Sequence, residues 1–259
     1  HNPALEALIG SPGTMLAALF MAESTGEPRW QELFQRAVQI LWDSMAFDTT
    51  LGAWLWTQDL YGRRRQFLGG GHGFAGNLLP IFRGQHLLPQ QLVQEFAART
   101  VLALSRAAER DQAGRVNWDA VHEPETKGRS GRMLVQDCHG APGIICRLGN
   151  APAIAELNAL LLGAGELVWT AGPLEKGAGL CHGTAGNGYA FLKLYRRSGD
   201  ARWLERARAF AMHAARQCER LAQQHGRHRF SLWTGDLGVA LFLQSCRDVD
   251  ARFPTLDYF

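Results

Sequence analysis

The chain has 259 residues, 46% of them hydrophobic, and a formal charge of +3 from 27 basic and 24 acidic side chains. That length suits one large architecture or a repeat array, and the near balance of charge argues against nucleic acid as a partner. The longest apolar run, 15–22, is shorter than the ~20 residues of a bilayer span and follows no charged leader, so a protein without a membrane span or signal peptide is expected. Basic residues do gather at Arg63, Arg64 and Arg65, which reads as a solvated turn.

In chain order, a G-x-x-G element recurs five times, at 10–13, 73–76, 140–143, 183–186 and 235–238. Each opens an apolar segment of helical spacing, such as Met15, Leu16, Leu19 and Phe20 after the first. Residues 10–36 align without a gap on 183–209, pairing Gly10, Gly13, Gly26, Trp30 and Glu32 with Gly183, Gly186, Gly199, Trp203 and Glu205. Each unit predicts a first helix ended by glycine and a second, more charged helix over 28–42 or 201–221, with Pro28 at a helix start. Repeated hairpins bury their faces by stacking on neighbours. The prediction is therefore an all-α chain, a single α/α toroid domain over 1–259, with first helices inside, second helices outside, and any site at the glycine rim. The stretch 48–65 reads as a short hairpin or an irregular loop, and 112–132 as a polar rim loop.

Five cysteines, an odd count in a chain able to build its own core, argue for a reducing compartment and against a disulfide framework. Cytoplasmic localisation follows as the expectation. Three rim turns carry a histidine before the first glycine, His72, His139 and His182, and two carry a cysteine before that, Cys138 and Cys181. Units one and five have Ile9 and Thr234 there instead. Cys138, Cys181 and His182 form a set that suits Zn²⁺ with one coordination position open. Spacing alone does not bring them together, and small buried cysteines at tight turns are the alternative. Cys146, Cys218 and Cys246 read as core.

The strings GGGHGFAGN (69–77), LVQDCHGAPGI (134–144), KGAGLCHGTAGNGYAFLKLY (176–195) and RFPTLDYF (252–259) resemble the lanthionine synthetase C-like family, especially its stand-alone glutathione-binding members. The resemblance implies a toroid of seven inner and seven outer helices, of which this chain would hold the C-terminal five hairpins. The remainder would be an absent N-terminal portion, unless the ring is smaller or another subunit completes it. It implies zinc ligands at Cys138, Cys181 and His182, an acid/base histidine at His72, and substrate contacts at Lys176 and Glu6. His139 and Asp137 are expected in the layer around the zinc ligands. Two positions depart from the family: Asp137 stands where Trp is usual, and Leu134 where dedicated cyclases tend to carry arginine.

The function expected is zinc-dependent addition of a thiol, glutathione foremost, to dehydroamino acids in peptides or proteins, forming a thioether. The alternatives are a lanthipeptide cyclase forming lanthionine rings, and a zinc-containing protein that holds glutathione or a peptide without turnover. Glycoside hydrolysis is disfavoured, because the rim supplies thiols and imidazoles where that chemistry needs paired carboxylates.

Overall fold

The computed structural model of the chain describes residues 4–60, 62–123 and 134–258. Its helices form two concentric layers. The inner layer comprises α1 (Ser11–Thr25), α3 (Phe74–Arg83), α5 (Ala141–Leu148), α7 (Thr184–Ser198) and α9 (Asp236–Asp248), each packed on the next in that order. The outer layer comprises α2 (Pro28–Asp43), α4 (Gln90–Ala107), α6 (Ala155–Ala171) and α8 (Ala201–His225), with α2, α6 and α8 laid on α1, α5 and α7.

The two layers follow from composition. Every residue of α5 is buried, as is every residue of α3 except Arg83, whereas α2 buries only Phe34, Val38 and Leu41, one stripe at helical spacing. Gly26 and Gly199 end α1 and α7 with φ of 68° and 72°, their N–H groups bonded to the carbonyls of Ala22 and Tyr195, as their place after the apolar runs predicts.

The G-x-x-G element has one physical meaning in all five units. Its first glycine is the N-cap of the inner helix. The second packs against the carbonyl of the residue six positions earlier (Ala7, Gly70, Asp137, Leu180 and Leu232), where any Cβ would collide. The chain thus folds tightly back before each inner helix, and all five rim turns lie at one end of the layer. Buried Asn77 and Asn187, each directly after a second glycine, donate to the carbonyls of Leu5 (2.9 Å) and Val135 (3.0 Å) and so tie one rim turn to the turn before it.

The 48–65 stretch forms two antiparallel hairpins, β1 (Ala46–Asp48) with β2 (Ala53–Leu55) and β3 (Gln58–Leu60) with β4 (Arg63–Arg65). The arginine triplet is β4, with Arg63 and Arg64 exposed. The expected rim loop begins as a third hairpin, β5 (Glu109–Arg110) with β6 (Val116–Asn117), and its residues 124–132 lie outside the described residues. The fifth unit differs from the other four: α9 is followed by the non-helical segment 249–258 and not by an outer helix. That segment crosses the end of the inner layer opposite the rim. Buried Asp257 accepts from Lys193 of α7 and from Asn150 after α5 (3.4 Å), and the Asp257 carbonyl accepts from Arg83 of α3 (3.2 Å). Among the described residues no helix is long and apolar enough to cross a membrane.

Candidate functional site

Three rim turns are stitched together by main-chain bonds. The Cys138 N–H donates to the Cys181 carbonyl (3.1 Å) and the Gly71 N–H to the Cys138 carbonyl (3.1 Å). This brings the turns before α3, α5 and α7 edge to edge. One ligand atom each from Cys138, Cys181 and His182 then lies within 4.8 Å of the other two. The two thiols share a hydrogen bond, which with burial pushes Cys138 up and, against burial, pulls Cys181 down, so the thiolate is favoured on Cys181 over Cys138. Gln136 donates its amide to Cys138 Sγ (3.0 Å) while its oxygen accepts from Lys176 Nζ.

These donors fit a zinc ion. Two sulfurs and one imidazole are the soft-to-borderline set that Zn²⁺ prefers, and one ligand atom from each already lies within 4.8 Å of the other two. Two adjacent thiols, one with its thiolate favoured, are also a site from which a cation would readily displace protons.

His72 stands beside this group. Its Nδ1 pairs with Glu6 Oε2 at 3.0 Å, and Glu6 is fully buried, held also by the N–H groups of Leu8 (3.1 Å) and Ile9. That hydrogen bond raises the His72 pKa above its ordinary 6.5 against the opposing effect of burial. Glu6 is therefore enclosed behind the histidine, and the contact its side chain makes in the fold is with His72. The His139 ring lies 5.9 Å from that of His72 and 6.3 Å from Phe67. Burial, with the charges of His72 and Lys176, brings His139 down to about 4. Among the described residues its Nδ1 has no hydrogen-bond partner, and the ring flanks His72.

Asp137 turns away from the sulfurs. Its carboxylate is gripped inside the ring by Arg147 Nη1 and Nη2 (3.0 and 2.6 Å), and it reaches Cys138 only through its charge, which disfavours the thiolate there. Lys176 and His182 line a cavity of about 1040 Å³ that is also lined by His225, Arg227 and Arg229. Gln136, Arg147 and the two asparagines escaped the reading of the sequence. The asparagines do carry a signal, since both follow a G-x-x-G, whereas Gln136 and Arg147 have none because their partners meet them only in the folded ring.

Residues 1–257 match the family described as lanthionine synthetase C-like protein. A LanC-like protein of Arabidopsis thaliana, GCL1, is 40% identical over 139 residues, covering 51% of this chain and 32% of that protein. Glutathione S-transferase LANCL1 of Danio rerio is 38% identical over 136 residues, 48% of this chain and again 32% of its own length. The matches therefore span about a third of these relatives. Among solved structures, nisin cyclase superposes with a TM-score of 0.71 over 99% of this chain and 67% of its own, at 12% identity, which establishes the α/α toroid fold.

Proposed function

The chain belongs to the lanthionine synthetase C-like family, and from that premise we propose that it adds a thiol, glutathione foremost, to the double bond of a dehydroamino acid residue. The observation that carries this reading is the convergence of Cys138, Cys181 and His182 within 4.8 Å, next to a histidine whose charged form is favoured. The similarity to a glutathione S-transferase, and in fold to a cyclase, supports it. Five free cysteines suit a reducing compartment such as the cytoplasm.

Cys138, Cys181 and His182 would hold Zn²⁺, which when bound keeps an incoming thiol deprotonated and nucleophilic at neutral pH. Lys176, at the cavity wall, would leave Gln136 to hold a carboxylate of that thiol substrate. The thiolate sulfur bonds to the alkene β-carbon, and the π electrons move onto the α-carbon and its carbonyl. His72 delivers the proton that this carbon needs, with Glu6 retaining the positive charge until transfer. The proton given up by the thiol passes to solvent, and His72 is recharged from there, so the sum is thiol plus alkene to thioether.

Zinc analysis and a glutathione adduct assay on a dehydroalanine peptide test the proposal together. One zinc per chain is expected in the wild type and none in Cys181→Ala. His72→Asn is expected to keep its zinc and to lose on the order of 10²-fold in adduct formation, the scale of a general-acid contribution. Zinc-loaded wild type that binds glutathione and yields no adduct would overturn catalysis in favour of a binding protein.

A further inference from the structure

Arg147, in the last turn of α5, is 2% exposed, and its guanidinium reaches three parts of the fold at once. Two of its nitrogens grip Asp137, the residue before Cys138; Nε donates to the Gly70 carbonyl (3.1 Å), two residues before His72; and its face lies 5.2 Å from the Phe253 ring centroid. We infer that Arg147 is a positioning residue which fixes His72 relative to the Cys138–Cys181–His182 group.

The energetics favour this role over simple stabilisation. A buried ion pair against an apolar pair of similar volume is about neutral in stability, because desolvation offsets the attraction. What a planar, bidentate guanidinium supplies uniquely is direction. Here the fork makes Asp137 and Gly70 share one rigid group, and the two turns they belong to are pressed together. A Cβ at Gly70 would stand 2.9 Å from both the Asp137 carbonyl and Gly143 Cα, and Gly71 donates to Cys138 across the same seam. The seam is held from inside the ring by Arg147 and from the rim by the Gly71–Cys138 main-chain bond. Loosening it by about 1 Å is the scale of misplacement that costs about 10²-fold in rate.

The kinetic part of this inference rests on the proposed thiol addition; the structural part does not. Arg147→Met leaves Asp137 buried without its partner, so the double variant Asp137→Leu/Arg147→Met, an apolar pair, is the decisive molecule. It is expected to melt with the wild type, while the Gly71 amide exchanges with solvent at least about tenfold faster in the metal-free protein. Its kcat for adduct formation is expected to fall about 10–100-fold with KM unchanged. Arg147→Lys, which keeps charge but lacks the fork, is expected to show the same exchange and kinetic defects. Wild-type protection of Gly71 in the double variant, or wild-type kcat there, overturns the inference. Should the wild type itself form no adduct, the proposed function falls and Gly71 exchange alone decides the role of Arg147.

Discussion

Glu6 gives His72 a charge that an isolated imidazole keeps only in mild acid. Because the His72 pKa is raised, the protonated donor persists above pH 6.5 and disappears as pH climbs through the elevated value. Glu6→Gln is expected to move the alkaline limb of the kcat/KM profile toward lower pH, and an unmoved limb would remove Glu6 from the proton's control. The same shift bears on stability: the His72–Glu6 contribution is fully present below 6.5 and fades as pH rises through the folded value. His139 has the opposite sign. With its pKa at about 4 in the fold, the unfolded chain binds the extra proton between about 4 and 6.5, so the fold weakens as pH falls through that window. His139→Phe is expected to remove this acid-side loss in a denaturant titration repeated at pH 7 and pH 5. The convergence of Cys138, Cys181 and His182 was legible in the sequence because two C-H-G strings mark it. The partnership of His72 with Glu6, 66 residues away, was not, since nothing local distinguishes a carboxylate that will be sealed behind a histidine from one that will face a substrate.

Among the elements, the rim turn is the unit that repeats, and its glycines are unequal. Gly199, at φ 72° with open space where a Cβ would go, bears only a backbone constraint, so Gly199→Ala is expected to cost about 1–2 kcal/mol. Gly186 faces the Leu180 carbonyl in the turn that carries Cys181. There a methyl group displaces main chain, and Gly186→Ala is expected to lose more stability than Gly199→Ala and to lower zinc content as well. Equal stability losses with full zinc would separate the turn from the metal site. Both glycines could be placed from the sequence, because the match of 10–36 with 183–209 puts one at a helix start and the other at a helix end. The fifth unit misled: its G-x-x-G opens α9 as the others open theirs, but Asp250, Arg252 and Pro254 then give a non-helical strap and not a second helix. The three-residue strands β1 to β4 were equally hard to fix, being too short for alternation to stand out from a loop.

At the scale of the whole molecule, that strap joins α3, α5 and α7 at the end away from the site through a single residue, Asp257. Lys193 is fully enclosed, so Asp257→Ala strands a buried ammonium and is expected to cost about 3–5 kcal/mol, whereas Lys193→Met/Asp257→Leu regains most of it. Asp257 is held below its ordinary 3.8 by Lys193 against burial, so its contribution is present above that value and lost as pH falls through the folded one. Chemical denaturation of the single and double variants at pH 7 checks the magnitudes, and acid unfolding of the wild type checks the sign. The strap ties α3, α5 and α7 at the end opposite the rim, whereas the cavity lined by Lys176 and His182 lies at the rim. On the proposed chemistry the thioether adduct forms where the incoming thiol must bind, so added product is expected to compete with that thiol.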